Sequence, residues 1–362
     1  MRALGRVALL LLMPAASAAQ QAPVITLKPA DGVLAHDMPL ISSVRELADG
    51  RVIITDGRDN LINVADFAHH TVTQIGQVPG HPKDFVTAGL IYPFYHDTTV
   101  MTTSDLRTMT HTWVMFDGVT VLGVIPNDSP LIMAISRIRG GTDTAGCILA
   151  TQVSHSMAGE PLQGTDSIYL VSVDHATALP DTVAHLAQSS GPGTMVHKGD
   201  SVDAFTKPME SAAMAPDGWI AVVRVNPYRV DWRSPDGRWL LGTPIPIPSA
   251  PLTAADKERY MPPIVNNPPE GWPTPGVRWP ATMPPTRGLA NAMATPDGCV
   301  LVARVTSGAE HGTSYDRIDR HGALAGTLTL PEGQNIVAFG AHSAYVLIRK
   351  DDSATLERHP WP

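Results

Sequence analysis

The residues best suited to chemistry recur at a fixed offset. Six positions beyond a turn glycine the chain places Asp56 after Gly50, Gln152 after Gly146, Arg224 after Gly218 and Arg304 after Gly298. Arg349 takes the matching place in the last repeat. Convergent guanidinium groups suit carboxylate or phosphate recognition, because each presents a planar fork of N–H donors. Arg224, Arg304, Arg349 and Asp56 are therefore the candidate ligand-binding residues. The structural alternative is that the arginines tie to acids of neighbouring repeats, such as Asp56, Glu310 or Asp351.

Signals for catalysis are sparse. The 14 histidines include His69, His70, His155, His197 and His311, yet none falls in an H-x-x-x-H or H-E-x-x-H spacing that would set two ligands on one helical face. The chain has no G-x-S-x-G elbow, and Gly140-Gly141 lacks the lysine of a phosphate loop. Catalytic residues are left unassigned.

The elements that carry the arginines are strands. Met214-Ala-Pro-Asp-Gly-Trp-Ile-Ala-Val-Val-Arg224 repeats as Ala294-Thr-Pro-Asp-Gly-Cys-Val-Leu-Val-Ala-Arg304, and Leu47-Ala-Asp-Gly-Arg-Val-Ile-Ile-Thr-Asp56 is a third copy. Each reads as strand, Asp-Gly turn, strand. A second turn follows about twenty residues later, as Asp117-Gly118, Asp236-Gly237 and His321-Gly322. Two hairpins per repeat make four antiparallel strands. Six units result, over 38–80, 86–125, 131–188, 203–246, 285–329 and 332–362. The sixth offers three strands before the chain ends, so residues 22–28, with Val24-Ile-Thr-Leu27, are expected to close it.

These phrases, together with Val44-Arg-Glu-Leu-Ala-Asp-Gly-Arg-Val52 and the run from Thr327 to Arg349, resemble the six-bladed β-propellers of the NHL-repeat and gluconolactonase-like kind, exported bacterial ones above all. The resemblance implies an all-β, six-bladed β-propeller of four-stranded antiparallel blades, with an N-terminal strand closing the last blade. It also implies a calcium or other divalent ion on the axis. Glu210, Asn291 and Asn335 are similar in type and placement to the oxygen ligands of such a site, although no aspartate in register completes the set. Within a propeller the Asp-Gly turns share one face, and the long connections, including 153–165, 189–202 and 305–314, share the other, where loops on a rigid scaffold bind ligands.

One connection stands apart. Residues 247–285 form an insertion between blades four and five: a short helix behind a Thr253 cap, then a proline-rich run from Pro262 expected to hold no regular ladder. It is either a lid or partner surface, with Trp272 and Trp279 exposed, or a packed cover.

Arg2 and Arg6, the apolar run Val7–Met13 and the small residues Ala15–Ala19 form a secretory signal, with cleavage expected after Ala18. Residues 19–362 then form one propeller domain, secreted or periplasmic, with no segment long enough to span a membrane. The composition agrees: 43% of residues are hydrophobic and 17% charged, which a disordered chain would not show. A net charge of −8 leaves no cationic excess for nucleic acid. Cys147 and Cys299 occupy equivalent places in blades three and five, too far apart to bridge, and are expected to be free and buried. The leading expectation is a module binding a small molecule, glycan or protein on the long-loop face without a cofactor. The alternatives are a metal-dependent lactonase or esterase-type hydrolase and a structural envelope protein.

Overall fold

The structure is a computed structural model that describes residues 22–362 apart from 36–37, 39, 58–60, 77–88, 106–109, 119, 126–128, 135–136, 154–167, 187–201, 204–209, 248–250, 269, 287–291, 308–311 and 351–352. The signal segment 1–18 lies outside the described residues. Among the described residues no helix is long and apolar enough to cross a membrane.

Six antiparallel sheets follow one another along the chain. Their inner strands are Ile41–Glu46, Ile91–Pro93, Arg137–Thr142, Ser211–Met214, Ala292–Ala294 and Gln334–Phe339. Each inner strand touches the next and the last touches the first, so the six blades close into a ring. The chain is a six-bladed β-propeller.

The turns explain why the repeat was visible. At the first hairpin of blade one, Gly50 N–H donates to Leu47 C=O at 2.9 Å and Leu47 N–H to Arg51 C=O at 2.8 Å, with Gly50 at φ +84°. This is a type I turn followed by a left-handed residue, and only the glycine needs positive φ. Asp49 adds a carboxylate that accepts from Arg51 N–H. The same geometry recurs at Gly218 and Gly298. Blade two departs from it: a 3-10 turn, Tyr95–Asp97, replaces the Asp-Gly turn.

The core lies in the seams between blades. Val44 and Ile54 of blade one pack on Tyr345 and Leu356 of blade six, while Ile53 and Val64 turn the other way onto Met101 and Phe116 of blade two. Similar clusters fill the remaining four seams. Strands covered on both faces lose the polar-apolar alternation, so Val52–Asp56 is buried throughout. Each Val, Ile or Leu so buried contributes roughly 1.5–3 kcal/mol.

Polar ties on the tight-turn face repeat this ring. Arg45 pairs with Asp97 of blade two at 2.8 Å, and Tyr95 stacks on His175 of blade three at 4.2 Å. Arg233 reaches back to Asp181 and Arg320 to Asp217. Trp361 donates to Asp297, and the Tyr345 hydroxyl to Glu46 across the closing seam.

An N-terminal strand does close blade six, but it is Gly32–Ala35, antiparallel to Ser353–Pro360, rather than residues 22–28. Val24–Ile25 instead lies parallel to the outer strand of blade five, where the absence of a side chain at Gly326 admits Ile25. Two short apolar segments of equal suitability stand before the first blade, and their order of docking is a tertiary matter.

In the insertion, Ala254–Arg259 is helical behind Thr253, whose hydroxyl accepts from Asp256 N–H while Asp256 accepts from Thr253 N–H. The proline-rich run is more ordered than expected. It holds a short helix, Pro263–Asn266, and Val277–Arg278 pairs in parallel with Val202–Asp203. Tyr260, Trp279 and Met283 pack on Val305 of blade five, and the Tyr260 hydroxyl donates to Thr306 C=O at 2.7 Å. The insertion is thus a packed cover on blade five; Trp272 stays exposed. Both cysteines are free, Cys299 buried and Cys147 half-buried.

Candidate functional site

Strand alternation decides which seam each polar side chain enters. Val300 and Val302 pack against blade four, so Arg304, two residues on, points into the seam between blades four and five at its loop-bearing end. Ala213 lies in that same seam from the other side, and so does Ser211, two residues before it. Thr286 joins them as the antiparallel bridge partner of Arg304, which sets both side chains on one side of the sheet. Ser211 Oγ, Thr286 Oγ1 and Arg304 Nε are all buried, and none has a hydrogen-bond partner among the described residues. Buried polar atoms are rarely left so. Three of them share one end of one seam.

Behind Arg304 stands Asp316, 2% exposed, with Oδ2 3.9 Å from Arg304 Nε. That is beyond a hydrogen bond. Asp316 instead accepts from the Tyr228 hydroxyl of blade four at 3.0 Å. Burial pushes the Asp316 carboxyl up, with Arg304 and the Tyr228 bond pulling against it. Burial and the neighbouring Asp316 push the Tyr228 phenol up, so it stays a donor. The Arg304 side chain remains about a third exposed, at 32%.

Blade four carries the same pair in the same register. Asp231 stands opposite Val222 as Asp316 stands opposite Val302, and Arg224 corresponds to Arg304. There, however, the arginine is fully occupied. Arg224 reaches Glu210 at 2.5 Å, Asp231 at 3.1 Å and His185 C=O of blade three at 3.1 Å. Asp231 also holds Arg229 at 2.8 Å and Gly242 N–H. Although burial raises it, these donors hold the Asp231 carboxyl below the usual range, opposite in direction to Asp316. Among the described residues, blade five has neither the Glu210 counterpart nor the second arginine.

The other expected residues are dispersed. Asp56 is buried in blade one, on the opposite side of the ring from blade four. Arg349 is exposed and one residue beyond the row: the Ser343 carbonyl closes its turn as those of Trp219 and Cys299 close theirs, which puts Ile348 in the arginine position. The acids that hold the arginines come from their own blades, not from neighbouring ones. Glu310 and Asp351 lie outside the described residues. Asp231 and Asp316 escaped the sequence reading, although each stands six residues before the second turn glycine of its blade, Gly237 or Gly322.

Of the three metal candidates, Asn291 lies outside the described residues. Glu210 is ion-paired to Arg224, and Asn335 Oδ1 accepts from the Thr313 hydroxyl at 2.9 Å. They are also out of step, because Ser211 rather than Glu210 occupies the register that Asn335 holds, opposite Val223 and Leu347. A guanidinium on the carboxylate does not fit a cation site. Cavities of ≈ 590 and ≈ 500 Å³ open on the tight-turn face. Their main polar groups, Asp217, Arg320, Asp97 and Arg45, are already engaged in the ties between blades.

No family model matches the sequence, and no curated protein is similar to it. Solved structures are similar in fold. Regucalcin of Agrobacterium tumefaciens, a calcium-binding protein, is 12% identical, with 94% of this chain and 98% of that one covered and a TM-score of 0.42. Virginiamycin B lyase of Staphylococcus aureus is 9% identical over 91% and 99%, with a TM-score of 0.44. The PQQ-bound aldose sugar dehydrogenase of Streptomyces coelicolor is 12% identical over 92% and 99%, with a TM-score of 0.41. The likeness is one of architecture, and what this six-bladed β-propeller does must be read from its own side chains.

Proposed function

We propose that the protein is an exported binding module that takes a carboxylate-bearing ligand, a small molecule or acidic glycan, into the loop-bearing end of the seam between blades four and five. One observation carries the reading. Arg304 is an accessible cation whose blade lacks the carboxylate that saturates its twin, Arg224, and it shares its seam with the unpartnered hydroxyls of Ser211 and Thr286. A ligand carboxylate on the Arg304 fork would form charge-assisted bonds, and the two hydroxyls would complete its acceptors. Asp316, itself held by the Tyr228 hydroxyl, stands behind the guanidinium without competing at hydrogen-bond distance.

The supporting experiment is a thermal-shift and calorimetric panel of acetate, succinate, glucuronate, inorganic phosphate and neutral glucose. The expected result is stabilisation by one or more carboxylates that Arg304→Ala abolishes and Arg304→Lys weakens, since lysine lacks the fork. A panel without effect, a preference for phosphate alone, or stabilisation that survives Arg304→Ala would overturn the reading. Export is supported by the layout of residues 1–19 and is tested by N-terminal sequencing of protein from the producing cell, which should begin at Ala19.

A further inference from the structure

Comparison of blades four and five isolates one position. In blade four, Ser211 pairs with Val223, which sets Glu210 across from Arg224, and the two side chains meet at 2.5 Å. In blade five, the residue across from Arg304 is Thr286, 1% exposed and with an unpartnered hydroxyl. The arginine and the aspartate behind it are otherwise in matching register.

We infer that the residue across the sheet from the arginine decides whether a blade takes a ligand: Thr286 leaves Arg304 open to an incoming carboxylate and donates to it, and Glu210 fills the same place at Arg224 with a carboxylate of the chain itself. Glu210 is thus a built-in occupant that shuts a second copy of the site. The inference rests on the carboxylate reading of the blade-five seam, and extends it to a specificity-determining residue and a latent site.

The test is calorimetric titration of the full mature chain with acetate, succinate and glucuronate in turn, together with melting curves, for wild type, Thr286→Glu, Thr286→Val and Glu210→Gln. Wild type should bind one equivalent. Thr286→Glu should weaken binding by more than about tenfold, because a resident carboxylate both occupies Arg304 and repels the incoming one. It should also melt higher than wild type without any ligand. Thr286→Val should bind more weakly with an unchanged stoichiometry. Glu210→Gln, if it melts cooperatively, should bind two equivalents, the second lost on Arg224→Ala. Wild type that binds while Thr286→Glu binds equally well overturns the inference and leaves the carboxylate site standing. Wild type that does not bind overturns the site, and the ligand-free melt then decides the pairing: a Thr286→Glu protein no more stable than wild type shows that position 286 does not face Arg304 as Glu210 faces Arg224.

Discussion

Replacing Tyr228 by Phe removes one oxygen from the seam between blades four and five, and its consequence depends on pH. The hydroxyl is the closest donor to the Asp316 carboxylate, at 3.0 Å, whereas Arg304 stands 3.9 Å away. A hydrogen bond to a charged group contributes about 1.5–3 kcal/mol, and one to a neutral group about 0.5–1.5 kcal/mol. Asp316 is raised above its unfolded value, chiefly by burial. Its stability contribution is therefore fully present below the unfolded carboxylate pKa and is lost as pH rises through the folded one. Tyr228→Phe withdraws a bond that favours the ionised form, so the folded value moves further up and the loss begins at lower stability. The substitution should cost about 1.5–3 kcal/mol at pH 8 and about half of that at pH 4. Urea denaturation at the two pH values, read as midpoint shifts at constant slope, measures this. An equal penalty at both, or a larger one at pH 4, would refute the assignment of Asp316 as a buried carboxylate that depends on Tyr228.

Other substitutions discriminate among the ties. Arg224→Ala leaves Glu210 and Asp231 under-compensated in a buried site and should cost about 3–5 kcal/mol, whereas Arg304→Ala, whose ion pair is long, should cost about 1 kcal/mol; denaturant titration of both variants gives the order. Glu46→Ala strands the Tyr345 hydroxyl in the closing seam, while the exposed Ala341 N–H turns to water, and should lower stability by about 1–3 kcal/mol, checked in the same way against Tyr345→Phe. Burial pushes the Cys299 thiol up to about 11 and raises Cys147 as well, so native protein at neutral pH should react slowly with a thiol reagent, and two thiols should appear on unfolding.

Where a backbone demand falls on a single residue type, the sequence is readable. Gly50, Gly218 and Gly298 each occupy a left-handed turn position, and from those turns the blades could be counted. Blade two hides its first turn because Asp97 takes the left-handed position in a turn without glycine. The closing strand was confused because Val24–Ile25 and Gly32–Ala35 are both short and apolar, and which docks where depends on the edges of blades five and six. Side-chain rows drift wherever a bulge intervenes, as between Ile336 and Ala338, so Glu210 and Asn335 looked aligned while standing one register apart. Arg304 was visible from its offset, but Thr286 was not. It meets Arg304 through an isolated bridge, outside the inner strand that the periodicity marks, and no local pattern announces it.

The most direct test of the central claim is the side-chain Nε–Hε spectrum of nitrogen-labelled arginine in the mature protein, with Arg304 and Arg224 assigned by substitution, during titration with the carboxylate that binds in the panel. The Arg304 resonance should shift and gain protection from exchange at saturation while Arg224, held by Glu210 and Asp231, stays in place. A bound carboxylate that leaves Arg304 unmoved, or that moves Arg224 as far, would contradict the claim.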